Sequence, residues 1–130
     1  MSRSIARLLL FAVLATVAAA ATAQDPAVVG PDVYKCIFDN EHTRVCEVTF
    51  KPGAKIGMHS HPAHFAYVMA PGKLRITNDK GVSQDVDFKV GTVTWLEPET
   101  HSGENIGTTE IKALVVEFRD LPAAAAAHQH

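Results

Sequence analysis

Neither sign of charge dominates this chain of 130 residues: 12 Lys+Arg stand against 14 Asp+Glu, with the basic residues scattered, so no nucleic-acid surface is indicated. The length leaves room for one folding unit and excludes a multidomain machine. Beyond the amino terminus no stretch carries a sustained 3.6-residue apolar period, and no segment repeats. A glycine-rich phosphate loop is absent, as is a serine-hydrolase constellation, because Ser60 lies between His59 and His61 and faces away from both on a regular strand. What remains is a small domain without long helices. Its 47% hydrophobic content owes part of its size to the first twenty-odd residues.

Those residues follow a rule of their own. Arg3 and Arg7 precede an apolar run from Leu8 to about Ala21, and Ala21-Thr22-Ala23 stands before the polar pair Gln24-Asp25. A charged start, an apolar middle and an A-x-A end make a secretory signal, and the run is short of the ~20 apolar residues that span a bilayer. The chain therefore divides into a signal peptide over 1–23, an amino-terminal extension over 24–32, a folded domain over 33–120 and a tail over 121–130. In that tail Ala123 to Ala127 and His128-Gln129-His130 show no packing pattern, which predicts disorder. The mature protein is expected in the periplasm or outside the cell, without a membrane span, and more acidic for the loss of two arginines.

Export changes how the two cysteines read, since thiols outside the cytoplasm tend to be oxidised. Cys36 and Cys46 lie in the strand-like stretches Val33 to Phe38 and Arg44 to Phe50, separated by the turn-rich Asp39-Asn40-Glu41-His42-Thr43. A hairpin centred near Glu41 sets the two cysteines opposite each other and predicts a disulfide; the alternative is a pair of buried thiols. The rest of the chain alternates short extended segments with Gly, Pro, Asn or Asp. Strands are expected at Ile56 to His61, Phe65 to Met69, Lys73 to Thr77, Val82 to Phe88, Thr92 to Leu96 and Glu110 to Phe118. Asn78-Asp79-Lys80-Gly81 is the clearest turn, and Lys51-Pro52-Gly53 and Glu97-Pro98-Glu99 punctuate similarly. So many strands in so short a chain predict an all-β sandwich or barrel of the jelly-roll type.

The chemistry concentrates between Gly53 and Tyr67. Residues two apart on a strand share a face, so His59 and His61 can aim two imidazoles at one ion. Pro62 interrupts the ladder, and a bend there turns either His64 or Phe65 inward. His101, in His101-Ser102-Gly103-Glu104-Asn105, is a distant candidate that an antiparallel fold brings beside the first segment.

From Tyr34 to Phe118 the chain resembles a small single-domain cupin, of the RmlC-like jelly-roll superfamily. Gly53, His59, His61 and Gly72 fall where the first cupin motif has its glycines and its His-x-His pair. The motif's glutamate does not appear: Phe65, or Ala66 at the longer spacing, holds its place. Gly91, Pro98, His101 and Asn105 match the second motif loosely. The resemblance implies a cupin-type antiparallel β-barrel, the double-stranded β-helix, and one divalent metal ion on His59, His61 and His101. It also suggests a homodimer. Cupin chemistry is too varied for the fold to name a reaction.

An all-histidine set weakens a simple Fe(II)-oxygenase reading without abolishing it, and three histidines are also a recognised catalytic zinc set. Neutral ligands leave the full metal charge uncompensated, which favours an anionic chelating substrate. His64 is a candidate fourth ligand in place of the acid, the alternative being a supporting or surface position. If Phe65 faces inward, so does Tyr67, the candidate acid or orienting donor, whose alternative is a wall aromatic. Glu104 is a candidate general base, or merely solvated. Three functions follow: an Fe(II)-dependent dioxygenase-type enzyme acting on a small chelating substrate; a Zn-, Mn- or Ni-dependent isomerase, lyase or hydrolase; and a non-catalytic cupin that binds a metal or small ligand.

Overall fold

A computed structural model describes residues 24–121. The segments read as signal peptide (1–23) and as tail beyond Leu121 lie outside the described residues. A one-turn helix, α1 (Pro26–Val29), is followed by nine strands: β1 (Tyr34–Asp39), β2 (Thr43–Phe50), β3 (Lys55–His61), β4 (His64–Ala70), β5 (Gly72–Asn78), β6 (Ser83–Phe88), β7 (Val93–Leu96), β8 (Glu99–Asn105) and β9 (Ile111–Phe118). They form a five-stranded sheet in the order β1-β2-β9-β4-β7 and a four-stranded sheet in the order β3-β8-β5-β6. Every pairing is antiparallel. The all-β jelly-roll expectation is met.

The first hairpin pairs Cys36 with Cys46 across β1 and β2, and the two are joined by the expected disulfide. The short turns around it work by backbone conformation. Gly53 and Gly91, the opening glycines of the two motif-like segments, have φ of 78° and 83°, a region that a side chain disfavours. Gly72 serves differently: a Cβ there would sit 2.4 Å from Cγ1 of Ile111, so β5 lies close over β9 only because position 72 has no side chain.

Alternation along the strands sorts the residues. On β2 and β9 the inward set is Arg44, Cys46, Val48 and Phe50 against Ile111, Ala113, Val115 and Glu117. Val48, Phe50, Ile111 and Val115 join Ile56, Leu74 and Tyr34 in one apolar core between the sheets. At one end the inward residues stop being apolar, and four histidines with two glutamates take over.

The extension 24–32 is tied to the barrel: Asp25 caps α1 by accepting from the Ala27 N–H at 2.8 Å, and the Gln24 carbonyl accepts from Ser60 N–H at 2.9 Å. One feature differs from the sequence reading. The segment after Pro98 is strand rather than turn. Its residues have little intrinsic β preference, but β3 and β5 hydrogen-bond it on both sides, and pairing overrides propensity. Asn105 closes β8 as a tie, its Nδ2 donating to the carbonyls of Phe50 and Thr109 at 2.9 and 2.8 Å.

Candidate metal centre

The register of β3 and β8 builds half of the site. His59 lies directly across from His101, and His61 directly across from Glu99. All four belong to the inward face, by the two-residue period of each strand. On the opposite sheet Arg44, Glu117 and His64 lie side by side on β2, β9 and β4. The chain bends between His61 and His64, so His64 opens β4 and points between the sheets with 2% exposure.

Three of the imidazoles are fixed from behind. Nδ1 of His59 donates to the Gly57 carbonyl at 2.8 Å, Nδ1 of His64 to the Pro62 carbonyl at 2.8 Å, and Nδ1 of His61 to Oε1 of Glu117 at 2.7 Å. With the proton used on Nδ1, each ring keeps a lone pair on Nε2. His59, His61 and His101 each offer one nitrogen such that the three lie within 4.8 Å of one another. Ring centroids are 4.8 Å apart for His59 and His61, 4.8 Å for His59 and His101, and 4.6 Å for His61 and His64.

Among the described residues, Nε2 of His59 and Nδ1 of His101 are buried polar side-chain atoms with no hydrogen-bond partner. Buried polar nitrogens without partners cost free energy, about 1–3 kcal/mol each, and two on residues directly opposite each other call for a shared partner. A divalent cation is such a species, and the nitrogen-rich donor set suits zinc, iron, nickel or manganese better than calcium or magnesium. The residues present fit a metal ion.

Burial and mutual proximity set the electrostatics. His59 is pushed down to about 4, first by burial and then by its histidine neighbours. His64 is lowered for the same reasons. Glu117 is only 2% exposed, and burial alone would raise its carboxyl; the His61 and Arg44 hydrogen bonds pull it down instead to about 2. Arg44 Nε donates to Oε2 of Glu117 at 2.8 Å, and its Nη1 to Asp25 at 2.5 Å. A charged chain thus runs from the amino-terminal segment through Arg44 and Glu117 to the back of His61. Partial burial works against the charge of Glu99, the adjoining His101 together with His64 and His61 more than offsets it, and its carboxyl lies below the ordinary value.

A cavity of about 70 Å³ lies in front of these groups, lined by the four histidines, Glu99 and Tyr34 and floored by core side chains. The Tyr34 hydroxyl approaches Nε2 of His61 at 3.4 Å, and burial, followed by the nearby Glu117 and Glu99 charges, raises its pKa and keeps it neutral. A second, mostly apolar cleft of about 260 Å³ shares Ala66, Ile76, Phe88, Leu96 and Glu99 with the first. It reaches the gap between β6 and β7, edge strands of different sheets.

The structure brings His59, His61, His64 and His101 to this cavity and leaves two expected residues outside it. Tyr67 is on the outer face of β4, 38% exposed, because His64, not Phe65, takes the inward position; Phe65, Tyr67 and Met69 follow one another outward. Glu104 is on the outer face of β8, between buried Gly103 and Asn105, where it pairs with Lys55 at 3.2 Å. Sequence reasoning missed Tyr34, Glu99 and Glu117. Glu117 had a signal: it ends the alternation Ile111, Ala113, Val115, Glu117, a charge on an otherwise apolar face. Glu99 has the same parity as His101, which mattered only once the segment was a strand.

No protein-family model matches the chain, and no curated protein matches it. Among solved structures it is similar to a cupin domain from Bordetella pertussis Tohama I, at 26% identity and a TM-score of 0.62, over 67% of this chain and 92% of that one. A protein with a double-stranded β-helix domain from Klebsiella pneumoniae matches at 19% identity and TM-score 0.56, over 66% of this chain and 75% of that one. An RmlC-like cupin family protein from Methanocaldococcus jannaschii matches at 15% and 0.55, over 66% and 78%. With its two antiparallel sheets closing over inward histidines, the chain has the cupin fold, the RmlC-like double-stranded β-helix.

Proposed function

We propose that this protein is an exported cupin enzyme that holds one divalent metal on His59, His61 and His101, with His64 beside them, and oxidises a small chelating substrate with oxygen. The observation that carries the metal reading is the pair of buried, partnerless nitrogens on His59 and His101, residues directly opposite each other on β3 and β8. When bound, the metal supplies Lewis acidity and, as iron, redox capacity.

The chain's own residues do the rest. The Gly57 and Pro62 carbonyls and Glu117 hold three imidazoles in one tautomer, so no reorganisation precedes binding. Tyr34, a neutral phenol at the cavity wall, donates its O–H to an oxygen of the bound substrate and is the candidate acid. The apolar walls around Ala66, Phe88 and Leu96 exclude water and admit a small, largely apolar molecule with one or two oxygen donors. The Cys36–Cys46 disulfide suits the oxidising compartment that the amino-terminal sequence implies.

Oxygen uptake by Fe(II)-loaded protein, screened against small hydroxy-, keto- and enediol-type chelators, tests the reaction. Uptake that depends on one such compound and is lost in His59→Ala supports the dioxygenase reading. Turnover of a chelator under anaerobic conditions with Zn(II), Mn(II) or Ni(II) contradicts it in favour of an isomerase, lyase or hydrolase, a role for which the neutral Tyr34 phenol is equally placed.

A further inference from the structure

The cupin-like first motif lacks its acid, yet a carboxylate does stand in the histidine cavity. It comes from β8. Glu99 lies across from His61 and two residues before His101, so strand register and alternation put it on the ligand face. Its Oε1 is 3.1 Å from Nδ1 of His101 and 3.8 Å from Nε2 of His64, between imidazoles contributed by opposite sheets.

No aligned hydrogen bond accounts for this position. Glu117 shows what a carboxylate that supports a histidine looks like here: an aligned 2.7 Å contact to Nδ1–H of His61. Glu99 makes no such bond, since Nδ1 of His101 is without a hydrogen-bond partner despite the nearby oxygen. Toward His64 the mismatch is plainer. The His64 proton is on Nδ1, given to the Pro62 carbonyl, so Nε2 turns a lone pair toward the Glu99 oxygen. Acceptor faces acceptor. Two donors that each lie about 2.0–2.2 Å from one ion stand roughly 3–4 Å from each other, and the distance from Glu99 to His101, one of the three grouped histidines, falls in that range.

We propose that Glu99 is a carboxylate ligand of the metal, delivered by β8 in place of the acid that β4 does not carry. The proposal rests on the metal reading above. It converts an all-neutral shell into histidines plus one acid, lowers the net charge of the loaded site by one, and gives the mixed nitrogen and carboxylate environment in which non-haem iron is commonly held. Glu99 also borders the apolar cleft.

Cobalt(II) alone, titrated into the protein and followed by calorimetry and by its visible d–d absorption, tests the assignment. His128→Ala and His130→Ala are included in every variant to remove the tail histidines. Glu99→Gln, checked for folding by circular dichroism, is expected to bind Co(II) at least about tenfold more weakly, the scale on which even supporting contacts act, with altered d–d bands. Metal addition to the parent protein is expected to shift a carboxylate stretch in the infrared difference spectrum, a shift absent from Glu99→Gln. Unchanged affinity and an unchanged visible spectrum in Glu99→Gln overturn the proposal while leaving the histidine site standing. Failure of the parent to bind Co(II), or equal binding by a His59→Ala, His101→Ala variant, overturns the metal reading itself. If Glu99→Gln does not fold, Glu99→Ala takes its place under the same criteria.

Discussion

Side chains in this site are held by partners that sequence spacing does not reveal. Glu117 is the clearest case: it fixes the tautomer of His61 with one oxygen and is itself held by Arg44 with the other. Glu117→Gln is expected to weaken metal binding about 10–100-fold and to cost roughly 2–4 kcal/mol of stability, because Arg44 loses one of its two charged partners. Metal titration and urea unfolding measure the two effects. Tyr34 and Tyr67 separate chemistry from surface. Tyr34→Phe is expected to reduce turnover about 10²–10⁴-fold, the range of general acid catalysis, whereas Tyr67→Phe leaves it unchanged. Equal effects would remove Tyr34 from the mechanism. The histidines were legible because His-x-His on a strand is a local signal. Tyr34, Glu99 and Glu117 were not, since each reaches the cavity only through register between strands distant in sequence.

Strands were legible where apolar residues alternate between turn residues, and this recovered eight of the nine in outline. β8 escaped because Glu-Thr-His-Ser-Gly-Glu-Asn reads as loop, and only its two neighbours make it a strand. That reading has a functional cost: as turn punctuation Glu99 carries no chemistry, and Glu104 stands as the candidate base instead. The first hairpin was predicted from its turn and its paired cysteines, and the disulfide is present. Closing that short loop contributes about 3 kcal/mol by the chain-entropy relation. Cys36→Ser with Cys46→Ser is therefore expected to lower Tm by roughly 10–20 °C, read by calorimetry. A shift of a degree or two would mean that the core alone holds the hairpin.

The molecule as a whole stores its acid sensitivity in the same cluster. His59 in the folded state takes a proton only near pH 4, whereas in the unfolded chain it does so near its ordinary 6.5. Between those values the unfolded state binds more protons, so stability present above pH 6.5 is lost as pH falls toward 4, by about 2–3 kcal/mol. Glu117, pulled down to about 2 from 4.5, extends the loss in the same direction below pH 4.5. Urea midpoints of the metal-free protein measured from pH 7 to pH 4 should fall steadily, and a flat profile would contradict the burial argument. The outer face of the five-stranded sheet carries Phe65, Tyr67, Met69, Val93, Trp95 and Phe118, with Trp95 stacked on Phe118 at 5.7 Å. A homodimer that covers this face is expected by light scattering, and Val93→Glu is expected to dissociate it. The central claim, however, is the metal. Elemental analysis of untagged protein carrying His128→Ala and His130→Ala, beside the same protein with His59→Ala and His101→Ala, addresses it most directly. About one equivalent of a transition metal in the first and none in the second is the predicted result; no metal in either after anaerobic reconstitution, or equal metal in both, would contradict it.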